Sequence, residues 1–583
     1  MSTKKNKILV AAIDFGTTFS GYAFSFKTDY ENDPMKISVN QQWTAGSRSL
    51  ISLKAPTVVL LDKSKHFLAF GYDAEDKYSE LALDDLHHGY YYFRRFKMLL
   101  HETKQLSRKT LVKDDEGREV PALDIFSMVI KYLKKHLLDT LETRGTGLDN
   151  NDIHWVLTVP AIWTEPAKQF MREAAEKAGI SGDQLSICLE PEAASLFCQH
   201  LPTEKLKDKQ GKGAEFAASV KGTKYMVIDL GGGTADITCH QKDADGKLRE
   251  LQKASGGAWG GTRVDEAFNQ LLIKIVGAAQ FRNFQQKNKA DALDILREME
   301  TKKRSITKET DGKVTLKVPV SLIQSFEKET GEEIKDVIKQ MAYAEKMSWV
   351  GDKLRMTADL FRTLFNEPMK HLVNHLKTLL SKKELKDVST MLMVGGFSES
   401  PIMQSAIKEA FSTKKVIIPD EAGLAVLKGA VLYGHKPQTI SVRVSSYTYG
   451  INISPPFKSG EHSPDRRVSI EGVDRVKDVF KKYIQADQSL NVGEAVSGRH
   501  VTIKKRQKEM LLKIFASENS NPRYVTDEGC AYLGKVVIQL PETEEKLKVD
   551  VKMIFGETEL MVEAKESTTG STYKSYFDFL SQN

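Results

Sequence analysis

Cysteine is scarce in this sequence. Four of the 583 residues are cysteine, and Cys188, Cys198, Cys239 and Cys530 form no CxxC pair. So few cysteines cannot cross-link a chain of this length, and reduced thiols are typical of cytosolic proteins. We therefore predict a cytoplasmic protein that does not depend on disulfide bonds.

Long apolar runs and a strong excess of one charge are also missing. Asp14 ends the first apolar run too early for a signal peptide, and no later run approaches the roughly 20 residues that cross a bilayer. The 85 lysine and arginine residues outnumber the 78 aspartate and glutamate residues by only 7. We therefore predict no export, no membrane span and no binding of nucleic acid.

One pattern occurs twice in the chain. An apolar, strand-like run ends in Asp-x-Gly and a hydroxyl-rich turn, first as ILVAAIDFGTT (8–18) and again as YMVIDLGGGTAD (225–236). A third apolar run, MLMVGG (391–396), ends in two glycines. Such repetition predicts a duplicated lobe, and the alternation of strands with helices is typical of an α/β architecture.

The periodicity of apolar residues predicts further helices and strands, and the apolar pattern changes near residue 437. Beyond that point alternating apolar residues indicate a separate antiparallel β domain, with a plausible boundary at Pro437 and Gln438. The predicted elements are helices at 121–145 and after Pro166, a strand at 155–160, a mobile surface insertion at 203–224, and C-terminal strands at 441–453, 532–540 and 547–564.

The two Asp-x-Gly turns have the chemistry of a phosphate site. Glycine lets the backbone approach a ligand without a Cβ clash, so that N–H groups and hydroxyls can hold phosphate from two sides. Asp14 and Asp229 end apolar strands, where a carboxylate is poorly tolerated unless a cation balances it, and Mg²⁺ with its waters suits that role. A single Asp-x-Gly turn is weak evidence, but two turns and a later Gly-Gly pair favour a nucleotide with magnesium.

At this point the sequence resembles the actin-like ATPase superfamily and, within it, the seventy-kilodalton heat-shock chaperones (the heat shock protein 70 family). The divergent heat-shock-protein-twelve branch, A/B type, is the most similar in shape. The similar segments are VLTVPAIW (156–163), LEPEAASL (189–196), METKKRS (299–305), MLMVGGFSESP (391–401) and PDEAGLAVLKGA (419–430).

The resemblance implies a fold, an organisation and an activity. The fold is an α/β two-lobed actin-like ATPase, a duplicated ribonuclease-H-like fold, followed by a smaller antiparallel β sandwich. The implied domains are residues 1–436, with lobes at about 1–205 and 206–436, and a partner-binding domain at 437–583. The implied activity is slow transfer of a phosphoryl group from ATP to water, with ATP or ADP and Mg²⁺ as ligands.

The resemblance also implies roles for individual residues. The catalytic set is Asp14, Lys97, Glu190, Asp229 and Thr234, of which Asp14, Glu190 and Asp229 would hold Mg²⁺ through its waters. The nucleotide-binding set is Gly16, Thr17, Thr18, Phe19, Gly231, Gly232, Gly233, Gly261, Glu300, Lys303, Arg304, Gly395, Gly396, Phe397 and Asp420.

Some of these assignments have simpler alternatives. Lys97 is equally consistent with a solvated surface lysine, and Asp420 with a helix N-cap. His87 and His88 are interpreted as a polar turn rather than a metal site, because no matching ligand pair follows at helical spacing.

The chain departs from the family pattern in three places. Glu399 stands where the family has an arginine that stacks on adenine, which puts nucleotide affinity or base preference in question. The hydrophobic, acidic linker between the domains is not visible around Lys436–Arg443. About 18 residues follow the last predicted strand, which leaves no room for a helical lid over a bound peptide.

Three functions therefore stay open. The first is a chaperone-like switch in which nucleotide state biases the binding of a protein or peptide partner. The second is a sugar or small-metabolite kinase, which shares duplicated Asp-x-Gly turns but needs no C-terminal β domain. The third is a nucleotide-binding scaffold with almost no turnover, suggested by Glu399.

Overall fold

The fold is described from a computed structural model of the chain. The structure describes residues 7–40, 43–44, 51–103, 105–201, 206–207, 221–555, 559–567, 570, 572–576 and 578–580. Most of the insertion predicted at 203–224, and the turn of the hairpin predicted at 547–564, lie outside these residues.

The first lobe is built around a mixed sheet with the order β13-β12-β1-β2-β3, in which β6 also pairs with β2. Strand β1 runs parallel to β12 and antiparallel to β2. The strands are β1 (Leu9–Phe15), β2 (Phe19–Phe26), β3 (Ser38–Val39), β4 (Trp43–Thr44), β5 (Ile51–Ser52), β6 (Ala55–Pro56), β7 (Val58–Leu61), β8 (Phe67–Phe70), β9 (Tyr91–Arg94), β10 (Leu111–Lys113), β11 (Glu119–Pro121), β12 (Ile153–Val159) and β13 (Leu185–Leu189). The helices are α1 (Lys27–Asn32), α2 (Tyr72–Leu83), α3 (Leu99–Glu102), α4 (Ala122–Thr143), α5 (Glu165–Lys177) and α6 (Glu190–His200).

The second lobe contains a larger sheet with the order β14-β22-β21-β15-β16-β17-β23-β28. Its strands up to residue 419 are β14 (Leu206–Lys207), β15 (Lys224–Leu230), β16 (Ala235–Lys242), β17 (Leu248–Gly257), β18 (Lys313–Lys317), β19 (Met347–Val350), β20 (Lys353–Thr357), β21 (Thr390–Val394) and β22 (Lys415–Pro419). Its helices are α7 (Thr262–Val276), α8 (Ala278–Lys287), α9 (Lys289–Ser305), α10 (Val320–Thr330), α11 (Ile334–Gln340), α12 (Ala358–Arg362), α13 (Asn366–Leu380), α14 (Pro401–Ala410) and α15 (Ala425–His435).

The two lobes share one connectivity. The order β22-β21-β15-β16-β17 repeats β13-β12-β1-β2-β3, with the same parallel and antiparallel neighbours. Helices α6 and α15 contribute to one apolar cluster with strands of both sheets. Because β1 and β15 hold equivalent places, the turns that follow them can meet between the lobes.

The residues explain the principal helices of the first lobe. Helix α4 buries Leu133, Leu137 and Leu141, which recur every fourth residue and so share one face. Helix α5 carries Pro166 in its first turn, where backbone N–H groups have no partner within the helix, so the missing N–H of proline costs no hydrogen bond. Gly179, just beyond α5, has a φ of +82°, which favours glycine.

The C-terminal region contains two antiparallel four-stranded sheets, β27-β24-β30-β31 and β29-β32-β33-β34, whose inner faces share one apolar cluster. The predicted hairpin is confirmed by the pairing of β32 with β33. The strands are β23 (Ile440–Val444), β24 (Thr448–Ile453), β25 (Arg467–Ile470), β26 (Val473–Val476), β27 (Val479–Ile484), β28 (Ser489–Asn491), β29 (Ala495–Val501), β30 (Glu509–Ser517), β31 (Cys530–Gln539), β32 (Lys548–Phe555), β33 (Leu560–Glu566) and β34 (Thr572–Tyr576).

The connection between the lobes and this region is itself a strand. Strand β23 pairs in parallel with β17 of the second lobe, and β28 extends the same sheet. No linker was visible in the sequence around Lys436–Arg443, and in the structure this segment leads into a strand of the second lobe's sheet. Ile440, Val442 and Val444 are buried and alternate with less buried residues along that strand. The boundary at residue 437 stays a prediction. No helix among the described residues has the length and apolarity that a bilayer crossing requires.

Candidate nucleotide site

The turns after β1 and β15 face each other. A Cβ atom built on Gly232 would lie 2.3 Å from Thr18 Oγ1, and one built on Gly233 would lie 2.7 Å from Thr17 Oγ1. A side chain at either position would collide with a hydroxyl group of the opposite turn, and at Gly233 also with Met98 Sδ, so both positions favour glycine. The two Asp-x-Gly segments therefore meet in a shared cleft.

A cavity of about 620 Å³ lies at this cleft. All twenty residues predicted to bind or turn over nucleotide line its wall, although they come from both lobes. They are Asp14, Gly16, Thr17, Thr18, Phe19, Lys97, Glu190, Asp229, Gly231, Gly232, Gly233, Thr234, Gly261, Glu300, Lys303, Arg304, Gly395, Gly396, Phe397 and Asp420. Their individual roles stay predictions.

Asp14 is held by a lysine that the sequence analysis missed. Lys54 Nζ lies 2.6 Å from Asp14 Oδ2 and donates a second hydrogen bond to the Gly423 carbonyl. Thr158 Oγ1 donates to the other carboxylate oxygen at 2.8 Å. Burial acts to raise the pKa of Asp14, but Lys54 and then Lys97 outweigh it, so the pKa lies below its usual value.

Lys97 and Glu190 form a buried ion pair with an Nζ to Oε1 distance of 2.8 Å. Lys97 is only 3% exposed and lies over the ring of Trp163 at 5.1 Å, so its interpretation as a solvated surface lysine is wrong. Burial raises the pKa of Glu190 to about 7, although Lys97 opposes the rise. The pair leaves a carboxylate at the cavity that is only partly ionised near neutral pH.

Asp229 is a buried acidic side chain with an unpartnered oxygen. Its Oδ2 atom is buried and has no hydrogen-bond partner among the described residues. Burial raises its pKa well above the usual value, and the neighbouring Glu190 and Asp236 add to the rise. A hydrated Mg²⁺ fits this donor set, because carboxylate oxygens and water are its preferred ligands and its charge would offset the repulsion.

A second group of charges also lines the cavity. Lys303 pairs with Glu300 at 2.6 Å and with Asp265 at 2.8 Å. Glu300 is partly buried, which acts to raise its pKa, but Lys303 and Arg304 overcome that effect and lower the pKa to about 2. The guanidinium of Arg304 lies 5.2 Å from the centre of the Phe19 ring. This group offers charged donors and an aromatic ring to a ligand.

The third glycine-rich turn completes the wall. Gly395 has a φ of +85°, and its N–H donates to the Ala422 carbonyl at 2.9 Å. Glu399 is exposed and accepts a hydrogen bond from the Gly423 N–H at 3.0 Å, so its carboxylate is tied to the neighbouring turn. The next helical turn spans Ala422–Leu424, and its N-cap residue is Glu421 rather than Asp420.

Two charged residues that interact with predicted site residues lacked a usable sequence signal or an assigned role. Lys54 lies in an ordinary segment, ISLKAP, and only the folded lobe brings it to Asp14. Asp236 stood inside the second repeat, and it is 1% exposed and accepts a hydrogen bond from the Ile162 N–H at 3.0 Å. Its place in the motif YMVIDLGGGTAD was the signal that could have identified it.

The chain is similar in sequence to proteins of one known family. The family model described as Hsp70 protein matches residues 94–456, which is more than half of the chain. Heat shock 70 kDa protein 12A of Mus musculus is 34% identical, with 100% of this chain and 93% of that protein covered. The chain belongs to the Hsp70 family.

The similarity within the Hsp70 family is uneven. Heat shock 70 kDa protein 12B of Homo sapiens is 32% identical over 98% of this chain and 91% of that protein. Chaperone protein DnaK of Psychrobacter cryohalolentis is 25% identical over 76% of this chain and 61% of that protein. The chain is therefore a divergent Hsp70-family member that resembles heat shock 70 kDa proteins 12A and 12B.

Proposed function

We propose that this Hsp70-family chain is an ATP-binding, chaperone-like protein that hydrolyses ATP slowly and whose nucleotide state biases the binding of a protein or peptide partner. The proposal includes a duplicated ribonuclease-H-like ATPase region and a C-terminal β sandwich as the partner-binding domain. The observation that carries it is the meeting of the two Asp-x-Gly turns at one cavity, with the acidic side chains of Asp14, Glu190 and Asp229 in its wall.

In this proposal, different residues of the cavity hold the phosphates and the Mg²⁺ ion. Thr17, Thr18 and the glycine turn at 231–233 would hold the phosphates, while Asp14, Glu190 and Asp229 would hold Mg²⁺ through its waters. When bound, Mg²⁺ would neutralise charge that develops on the phosphate oxygens. Lys97 would add a positive charge near the terminal phosphate, and Thr234 would position the attacking water.

Helix α6 supports communication from the cavity to the β domain. It begins at Glu190, which lines the cavity, and its first turn also contains Glu192. Both carboxylate oxygens of Glu192 accept hydrogen bonds from Arg443 on β23, at 3.0 and 2.7 Å. One rigid helical turn thus touches the nucleotide site and the strand that leads to the β domain.

The first experiment measures the proposed coupling in both directions. The purified chain is titrated with ATP, ADP and AMP, with and without Mg²⁺, and the affinity for an unfolded model polypeptide is measured in each state. We expect the peptide affinity to differ between ATP and ADP, and the peptide to change nucleotide affinity by the same factor. Independent binding of the two ligands would contradict the switch.

The second experiment tests turnover at the second turn. We predict that Thr234→Val lowers the hydrolysis rate by about tenfold or more, with a smaller effect on ATP affinity, because the hydroxyl group would act mainly in the transition state. Thr238→Val is a matched control, since Thr238 is 1% exposed and its hydroxyl has no hydrogen-bond partner among the described residues. Equal losses of binding and hydrolysis in Thr234→Val would mean that Thr234 only shapes the pocket.

The same assay separates the remaining functions. Incubation with ATP and a panel of sugars would yield a phosphorylated sugar if the protein were a kinase. ATP binding with no hydrolysis in either wild type or variants would identify a scaffold, which the carboxylate of Glu399 beside the cavity would favour.

A cytoplasmic location is part of the proposal and is tested by imaging the tagged chain.

A further inference from the structure

A turn at the rim of the first lobe gathers two imidazoles and a carboxylate. The chain leaves α2, reverses at Asp85, which has a φ of +56°, and forms a short helical turn over His87–Gly89. One ligand atom from each of Asp85, His87 and His88 lies within 4.8 Å of the other two. This spacing is close enough for the three groups to reach one ion.

His87 is the residue that ordinary packing does not explain. It is only 1% exposed, and neither ring nitrogen has a hydrogen-bond partner among the described residues. Its ring lies edge-on to Tyr78 at 5.9 Å and tilted against His88 at 4.0 Å, so its neighbours are aromatic. Burying a polar ring without a partner is costly, and a bound ion would remove that cost.

The other two groups keep the cluster open to solvent. The side chains of His88 and Asp85 are 60% and 84% exposed, and His88 Nε2 lies 3.3 Å from Asp85 Oδ1. Glu116 Oε2 lies 3.7 Å from His88 Nδ1 and can orient that ring. A cavity of about 550 Å³ lies between this turn and the α8–α9 junction of the second lobe, so an ion has a route in.

A nearby lysine is paired with other carboxylates and not with the Asp85, His87 and His88 cluster. Lys289 lines the same cavity, but its ammonium group is paired with Asp115 at 2.6 Å and with Glu116 at 3.0 Å. A simple ion pair between protonated His88 and Asp85 would account for two of the three groups. It would leave the buried nitrogens of His87 unexplained.

We propose that Asp85, His87 and His88 form a binding site for one divalent transition-metal ion, with Zn²⁺ as the best fit. Two neutral imidazoles and one carboxylate are common Zn²⁺ ligands, and a water molecule would complete a tetrahedral set. Mg²⁺ prefers an all-oxygen shell, so the nucleotide's metal would not compete for this site. The lining residues of this site and of the nucleotide cavity do not overlap, and the proposal is an alternative to the interpretation of His87 and His88 as a polar turn.

The test is a titration of the full chain with Zn²⁺ alone, after treatment with a chelator and in the presence of excess Mg²⁺. We expect calorimetry to show one Zn²⁺ per chain, and Co²⁺ to give visible absorption typical of a low-coordinate site. His88→Ala and Asp85→Ala should each weaken Zn²⁺ binding by about tenfold or more. Both residues are exposed, so these variants are expected to fold.

The matched control is His66→Ala, because His66 is another exposed histidine beside an aspartate, with Nδ1 3.5 Å from Asp62. It should bind Zn²⁺ as the wild type does. His87→Phe, checked by circular dichroism, should also abolish binding while keeping the aromatic packing. Wild-type protein that binds no Zn²⁺, or Asp85 and His88 variants that bind it unchanged, would overturn the proposal.

Discussion

Three acidic side chains of the cavity have different surroundings. Asp14 is neutralised by Lys54, Glu190 is paired with Lys97, and one oxygen of Asp229 lacks a hydrogen-bond partner among the described residues. Because a buried polar group without a partner is unfavourable, a cation would contribute most at Asp229. The different surroundings shift the pKa values of these three groups differently, so cation binding at the site should depend on pH.

We predict that Mg²⁺-dependent ATP affinity rises between pH 6 and pH 8 through the ionisation of Glu190. The pKa of Glu190 is raised to about 7, so the carboxyl group is largely protonated at pH 6 and ionised at pH 8. Only the ionised form attracts the cation, and the gain approaches about tenfold per pH unit below the pKa. Affinity is measured by calorimetry at pH 6, 7 and 8.

Glu190→Gln separates this effect from the titration of ATP itself. The variant should bind Mg²⁺ and ATP more weakly at pH 8 and show a flatter dependence on pH, because the amide does not ionise. Parallel curves for the variant and the wild type would show that Glu190 does not supply the titrating group.

At the scale of elements, β23 is joined to two neighbours by buried polar groups. Its Arg443 pairs with Glu192 of α6, and the Val444 N–H donates to Glu250 of β17 at 2.8 Å. Glu192 is 2% exposed and Glu250 is 7% exposed. Arg443 therefore supplies the charge that balances Glu192, whereas burial raises the pKa of Glu250 to about 8, and the attachment of the strand depends on the Arg443–Glu192 pair.

We predict that Arg443→Ala lowers the free energy of unfolding of this region by about 3 kcal/mol, because it leaves the buried carboxylate of Glu192 unpaired. Hydrogen exchange of β23 and the thermal midpoint measure the loss. The double variant Arg443→Met with Glu192→Leu should recover most of it, since no unpaired charge remains. A double variant as unstable as the single one would mean that packing of Arg443, rather than charge, holds the strand.

At the scale of the whole molecule, the C-terminal region rests on helix α5 of the first lobe. Arg172 Nε donates to Glu559 Oε1 at 2.6 Å, and the Phe579 N–H donates to Gln169 Oε1 at 2.8 Å. Leu580 is 2% exposed and belongs to the apolar core of that lobe. The β region therefore contacts the first lobe through α5 and the second lobe through β23.

We predict that Arg172→Glu loosens the contact between the C-terminal region and the first lobe, because two glutamates would face each other in a partly buried place. Small-angle scattering should show a larger radius of gyration, and limited proteolysis should become faster. Adding Glu559→Arg should restore both readouts by reversing the pair.

Lys135→Glu is the control for Arg172→Glu, since Lys135 pairs with the exposed Asp139 on α4 and a surface pair contributes little. It should leave scattering and proteolysis unchanged. If Arg172→Glu also changed neither readout, the remaining contacts of Phe579 and Leu580 would be sufficient to hold the region in place.

Local patterns carried much of the prediction. The turns at Asp14 and Asp229 were identified because a strand that ends in Asp-x-Gly has a short-range signature, and helix α4 because its apolar residues follow the helical period. A strand was predicted at 441–453, but the pairing of β23 with β17 was not, because a short apolar alternation does not encode the partner strand. Lys54 was missed for the same reason.

The sequence by itself determined the repeated strand-turn units, the α/β character and the family, since all of these follow from neighbouring residues. Only the tertiary structure decided which charges meet: Lys54 with Asp14, Arg443 with Glu192 and Arg172 with Glu559. These partners are between 40 and 387 positions apart. No local period encodes such pairs, because they arise when separate elements pack and exclude water.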